Sequence, residues 1–226
     1  DWGIQETDFM SRHVILGHRR LSIVDLSPAG HQPMTTKCGR YQIVFNGEIY
    51  NHLEIRSTLR QKNFLGHSDT ETILYALAER GIDAVREMNG IFGFAFLDTV
   101  KGKLYLARDP FGVKPVYYCH DGSHFAFCSE MRPLLAMVHP TVDPDALSTL
   151  LRLRYVPSPY TLFREIKKIV PGCYLEIDLQ NPAEIRQTFF AEPLPSQIDL
   201  TFEEQLEKYQ YYLEQAVKRQ MMADVE

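Results

Sequence analysis

Residues 41–51 read YQIVFNGEIYN, and Asn46, Gly47 and Glu48 within them are the first candidates for chemistry. An apolar run leads straight into Asn-Gly and then into an acid. Asn-Gly between alternating apolar residues is the strongest short hairpin signal, and it predicts a type I′ turn. A hairpin would need a second strand from Glu48, yet NHLEIRSTLRQK favours a helix with Asn51 as its cap. The alternative is strand–turn–helix, with the turn exposed at a sheet edge and its backbone N–H groups aimed at a ligand.

Other charged residues sit where they could act. GHRRLSIVD places Arg19 and Arg20 before an apolar run. Such a pair reads first as a solvated edge, although an Arg there can fork onto a carboxylate. HSDTE places Asp69 in the first turn of a helix, where the helix dipole favours an acid. ARDPFGVKP ends a strand at Arg108-Asp109 and reads as a tight loop fixed by an ion pair. His120 and His124 flank a turn at Asp121-Gly122 and read as surface polar residues, since no further ligands are spaced around them. A two-residue turn there sets Cys119 opposite His124 and Cys128 opposite Pro115. Walker A, dinucleotide-binding, HExxH and GxSxG patterns are all missing.

The elements that must position these residues alternate in blocks. VILGHRRLSIV, YQIVF, IFGFAFLD, KLYLARD and GCYLEIDL read as strands, with a hairpin over VYYCHDGSHFAFCS. In IFGFAFLD the phenylalanines fall on one face and small residues on the other, so another layer must approach that second face closely. Helices are expected over 52–62, over HSDTETILYALAERG with a Ser68–Glu71 capping box and a Gly81 stop, and over DPDALSTLLRLR with Asp143 as cap and Pro144 first. The last, from 201 onward, opens on a Thr201–Glu204 capping box. Its stripe of Phe202, Leu206, Tyr209, Leu213 and Val217 is expected to pack on something outside the chain. AEPLPSQIDL (191–200) reads as a linker. Antiparallel strands in the middle with helices before and after favour an α+β fold over a doubly wound parallel sheet.

Composition narrows the function class. The 226 residues are 45% hydrophobic and 23% charged, which suits a globular chain with a substantial core. A net charge of −5 gives no basic footprint for nucleic acid. No run of 18 apolar residues suggests a membrane helix, and no signal peptide opens the chain. Cys38, Cys119, Cys128 and Cys173 form no CxxC pair, and the expectation is a reducing cytoplasm without a disulfide framework.

In order, GHRRLSIVDLSPAGHQPM, FNGEIYN, HSDTETIL, MNGIFGFAFLD, ARDPFGVKPVYY, FCSEMRPLL, YVPSPYTLFREIKKIVPG and MMADV closely resemble glutamine-hydrolysing asparagine synthetases of the bacterial type, from about residue 1 to 226. The resemblance implies a class II amidotransferase domain of the N-terminal-nucleophile fold, four layered, with two antiparallel sheets between helices. It divides the chain into that domain at 1–190 and, at 191–226, a linker and the first helix of an ATP-dependent synthetase domain.

In that family an N-terminal Cys attacks the side-chain amide of glutamine with its own α-amine as base, and the ammonia passes to a second domain where ATP has activated aspartate. By resemblance, Arg20 clamps the glutamine α-carboxylate, the backbone of Leu21, Ser22, Ile23 and Val24 lines the pocket, Glu48 and Asp69 hold the α-ammonium, and Asn46 with the Gly47 N–H forms the oxyanion hole. The Asn-Gly is then the catalytic turn. Glutamine and the synthetase domain are the implied partners, ATP and Mg belong to that domain, and a homodimer is left open.

Two departures shape the expectation. The chain begins where the family has the Asp of Arg-Gly-Pro-Asp, so the nucleophile and the first strand are expected to be missing, and it ends before the family's ATP loop. As supplied, it is expected neither to hydrolyse glutamine nor to make asparagine, and to carry an unpaired strand edge. The alternatives are a nucleophile-less glutamine-binding or interaction module and a related amidotransferase with another acceptor.

Overall fold

Strand β4 (Tyr41–Ile49) is buried on both faces from Gln42 to Phe45, and β5 (Gly90–Asp98) from Phe92 to its end. Strands buried on both faces need a layer above and a layer below. The computed structural model, which describes residues 1–21, 25–191 and 199–221, supplies both. These two strands form the centre of a six-stranded antiparallel sheet with β3 (Met34–Thr35), β6 (Lys103–Arg108), β10 (Cys173–Asp178) and β11 (Asn181–Phe189), in the order β11-β10-β6-β5-β4-β3.

One face packs on helices α1 (His52–Thr58) and α2 (Asp69–Arg80). Phe45, Phe92, Phe94 and Phe96 meet Ile55, Ile73, Leu74 and Leu77 there. The other face carries Val44, Ala95, Leu97, Leu106 and Leu175. It meets a second strand layer: the hairpin β1 (Trp2–Phe9)–β2 (Arg12–Arg19), and the sheet β8-β7-β9 of Phe125–Cys128, Tyr117–His120 and Lys167–Lys168. Gly93 is the small residue this close approach requires, since a Cβ there would lie 2.6 Å from Val116 Cγ2. Helix α3 (Met131–Leu135) backs the second layer, with Leu134 packed against Cys119 and Ile166. The order is helix, sheet, sheet, helix. The second strand layer is parted into two separate sheets, so the described residues form three sheets, not two.

Local chemistry explains most boundaries. The Ser68 hydroxyl caps α2 by accepting from the Glu71 N–H, and Gly81 ends the helix at φ 76°. The Ser68–Glu71 capping box is only half formed, because the Glu71 carboxylate accepts from the Leu65 and Gly66 N–H groups instead. Helix α1 is shorter than expected, and Asn51 precedes it without capping it: the side chain is bonded to Glu87 and Asn89. Helix α4 (Pro144–Leu153) starts on Asp143 and Pro144 as the sequence predicts. Helix α5 (Phe202–Gln220) has its full Thr201–Glu204 capping box, and its apolar stripe is exposed. Residues 192–198, most of the expected linker, lie outside the described residues.

The β7–β8 turn differs from the expected two-residue form. Cys119 pairs with Ala126 and Cys128 with Tyr117, leaving a four-residue turn. The Asp121 carboxylate accepts from both the Ser123 and His124 N–H groups, at 2.8 Å each, and so holds the wider loop. The Arg108-Asp109 loop is not held by a mutual ion pair either. Arg108 donates to the carbonyls of Gly112, Lys114 and Ile169, while the Asp109 carboxylate accepts from the N–H groups of Phe92, Phe111, Val113 and Lys114.

Candidate active site

The Asn-Gly pair does not turn. β4 runs through it, with Asn46 opposite Gly93 and Gly47 opposite Phe92 in an unbroken ladder that ends at Ile49–Gly90. Both the hairpin and the strand–turn–helix expectations are overturned. Tight packing between the strands is the reason for glycine here: a Cβ on Gly47 would fall on the Ile91 carbonyl oxygen.

β3 pairs with β4 only through Ile43 and Gln42, so the rest of that β4 edge is open. Its backbone groups alternate between β5 and the open side. Phe45 turns outward, where the Gln32 side chain takes its N–H at 2.7 Å and donates to its carbonyl. Ile49 also turns outward and donates to Asp69 Oδ2 at 3.0 Å. Gly47 lies between them in the same phase, and its N–H points into the open side.

That open side is a cavity of about 200 Å³ whose walls include Arg20, Leu21, Asn46, Gly47, Glu48 and Asp69. Its volume falls below the ~300–1,000 Å³ of drug-sized sites, a scale that suits one amino acid. The sequence-predicted residues are therefore brought together, except Ser22, Ile23 and Val24, which lie outside the described residues. Arg20 enters from the end of β2, with 8% of its side chain exposed, donates to the Asp25 carbonyl and lies 4.0 Å from the Asp1 carboxylate.

The acids stand in costly surroundings. Burial pushes the Asp69 carboxyl above the ordinary carboxylate range, although the Ile49 and Thr70 N–H groups oppose the shift. Burial and then the Asp69 charge push Glu48 up, and Lys114, another wall of the cavity, works against both. Glu48 Oε1 is buried with no hydrogen-bond partner among the described residues. The cavity thus joins a guanidinium, two carboxylates and an outward-turned backbone N–H. Those groups can bind a carboxylate, an ammonium and a developing oxyanion.

Four residues that sequence reasoning missed shape this place. Gln32 stands in for the missing strand beside Phe45, and nothing in its local pattern announces that. Lys114 lay in a loop read only as a tight turn. Asp25 is buried beneath Arg20. His18 donates from Nε2 to the Phe45 carbonyl at 3.0 Å, and burial pushes its pKa down. Asn46 and His18 also wall a second cavity of about 790 Å³, which fills the parting between β2 and β8 over a floor of Val44, Gly93 and Ala95. Among the described residues, His, Cys, Asp and Glu form no metal-binding cluster, and no helix is long and apolar enough to cross a membrane.

The layering is that of the N-terminal-nucleophile amidotransferases. Glutamine phosphoribosylpyrophosphate amidotransferase from B. subtilis, solved with ADP and GMP, superimposes over 80% of this chain and 36% of its own, at TM-score 0.56 and 16% identity. The family model of the glutamine amidotransferase domain matches residues 4–189, and the chain belongs to that family. Among its relatives, the putative asparagine synthetase (glutamine-hydrolyzing) 2 of Methanocaldococcus jannaschii is 35% identical across 100% of this chain and 47% of that protein. Asparagine synthetase (glutamine-hydrolyzing) 3 of Bacillus subtilis is 42% identical across 71% of this chain and 27% of its own length. The chain spans less than half the length of these relatives.

Proposed function

We propose that the 200 Å³ cavity binds L-glutamine and that the chain is the glutaminase portion of an asparagine synthetase. Arg20 takes the α-carboxylate, Glu48 and Asp69 take the α-ammonium, and the Gly47 N–H with the Asn46 side chain receives the oxygen of the side-chain amide as it becomes an oxyanion. Two carboxylates suit an ammonium, which has three donors and no acceptor. The observation that carries the reading is the outward-turned Gly47 N–H, held in the same cavity as those three charges.

In this reading the nucleophile is an N-terminal Cys on a strand that lies in the 790 Å³ parting beside Asn46. Its thiol loses a proton to its own α-amine and attacks the amide carbon. The proton leaves with ammonia, and water then cleaves the thioester to release glutamate. The four cysteines of this chain carry no free α-amine and take no part. ATP, Mg and aspartate belong to the remainder of the longer protein, which consumes the ammonia, and the site of that work is the cytoplasm. The linker and α5 lead into that remainder.

Calorimetric titration with L-glutamine tests the reading. Binding is expected, with affinity reduced about 10- to 150-fold in Arg20→Ala, the range set by a charge-assisted contact of ~1.5–3 kcal/mol. An absence of binding by the unaltered protein overturns it.

A further inference from the structure

Asp25 is fully buried and charged, and its backbone is left-handed at φ 57°. A residue other than glycine in that region is strained, and it persists where its surroundings fix it. Both ends of Asp25 are engaged. Its carbonyl accepts from Arg20 Nη2. Its carboxylate accepts through Oδ1 from the Ser27 N–H at 3.1 Å and the Ser27 hydroxyl at 2.5 Å, and through Oδ2 from the His67 N–H at 2.8 Å. His67 stands directly before Ser68, the cap of α2, and Asp69 is the first residue of that helix. One residue therefore bonds to the cation at one end of the cavity and to the segment that presents the acid at the other. Two glycines make room: a Cβ on Gly30 would overlap the Arg20 guanidinium, and one on Gly66 would overlap Asp25 Oδ2.

We propose that Asp25 is a positioning residue that fixes Arg20 relative to Asp69, and so sets the site's selectivity for a ligand carrying both an α-carboxylate and an α-ammonium. The inference rests on the glutamine reading above. Burial opposes the charge on Asp25, yet the hydrogen bonds from Ser27 and His67 outweigh it and hold the carboxyl below the ordinary range. An amide cannot replace that group, because both oxygens face donors and an NH₂ would meet one of them.

The test compares L-glutamine with L-glutamine α-amide, which keeps the ammonium and side chain but has no carboxylate for Arg20. The unaltered chain is expected to prefer glutamine. In Asp25→Asn, affinity for glutamine should fall about tenfold or more, while affinity for the α-amide stays within about twofold. Asp25→Gly suits the left-handed backbone, and it supplies the same comparison where Asp25→Asn melts too low to use. A merely structural loss would weaken both ligands alike, and that result overturns the inference, as does an unchanged preference in both variants. If the unaltered chain binds neither compound, the glutamine reading fails first and this inference fails with it.

Discussion

Gly47 and Phe92 face each other across the β4–β5 ladder without exchanging a hydrogen bond. Phe92 is committed to the far side, where its carbonyl accepts from the Asp109 N–H at 2.8 Å and its N–H donates to Asp109 Oδ2 at 3.3 Å. In an antiparallel pair, residues opposite a non-bonded partner turn their own groups outward. The Gly47 N–H is thus aimed into the cavity by Asp109, two strands away. The donor is set before any ligand arrives, so little reorganisation is needed when negative charge develops beside it.

Gly47→Ala should separate these strands. Its Cβ would meet the Ile91 carbonyl, and backbone cannot move aside as a flexible side chain would. A loss of about 1–3 kcal/mol in urea unfolding is expected, as for other overpacked sites. Glutamine affinity should fall in the same variant, because the outward N–H moves with the strand. Unchanged stability would mean that the β4–β5 spacing is wider than described.

Asp109→Ala should act at a distance. It strips the acceptor from the N–H groups of Phe92, Phe111, Val113 and Lys114 together. A buried donor left unpaired costs ~1–3 kcal/mol, and several of these sit in a loop that water can partly reach. The expected destabilisation is therefore about 3 kcal/mol, read from the urea midpoint. Lys114 then drifts from the cavity wall, and glutamine titration should show weaker binding although Asp109 touches no ligand.

Binding of glutamine should fade on mild acidification. Glu48 and Asp69 must be ionised to hold an ammonium, and both carboxyls are held above the ordinary range, chiefly by burial. They are consequently protonated at a higher pH than exposed acids. Affinity should be full well above those raised pKa values and lost as pH falls through them. Calorimetric titration across the acid range checks this. A Glu48→Gln variant should bind weakly at every pH, with the difference from the unaltered chain shrinking as pH drops.

The sequence made the two central strands, α2, α4 and α5 legible because periodicity, caps and a glycine stop agree there. It hid β1, β2 as a hairpin and β11. The turn between β1 and β2 is Met10-Ser11, with Met10 at φ 53°, and neither residue signals a left-handed turn. β11 is a mostly exposed edge with Pro182 inside it, so it lacks the apolar alternation of a core strand. Arg20, Asn46, Gly47, Glu48 and Asp69 were found through the resemblance and do meet in one cavity. The Asn-Gly geometry was misread, because the local turn signal is overridden by nine ladder pairs with β5. Gln32 was invisible because it works on the backbone of Phe45, and Asp25 because its link to the start of α2, the His67 N–H, lies 42 residues along the chain.

The unliganded chain should be most stable in mild acid, because its buried acids pull in opposite directions. Glu48 and Asp69 have raised folded-state pKa values, so the folded state takes up their protons before the unfolded state does. Stability therefore rises as pH falls through those raised values, and the gain is complete near the ordinary carboxylate pKa. Asp98 has the opposite sign. Burial opposes its charge, but the two-bond contact with Arg40, at 2.8 and 2.9 Å, and the Val100 and Lys101 N–H groups hold its carboxyl low. Its contribution is present above the unfolded value and disappears as pH falls through the folded one. Melting temperature against pH should thus climb from neutrality into mild acid and then drop. Asp98→Asn should lower the curve at neutral and mildly acid pH, meet the unaltered curve in strong acid and so flatten the acid fall, while Glu48→Gln should lift the neutral end and flatten the climb. A curve that declines steadily from pH 7 downward would show that the cavity acids are not strained in the unliganded protein.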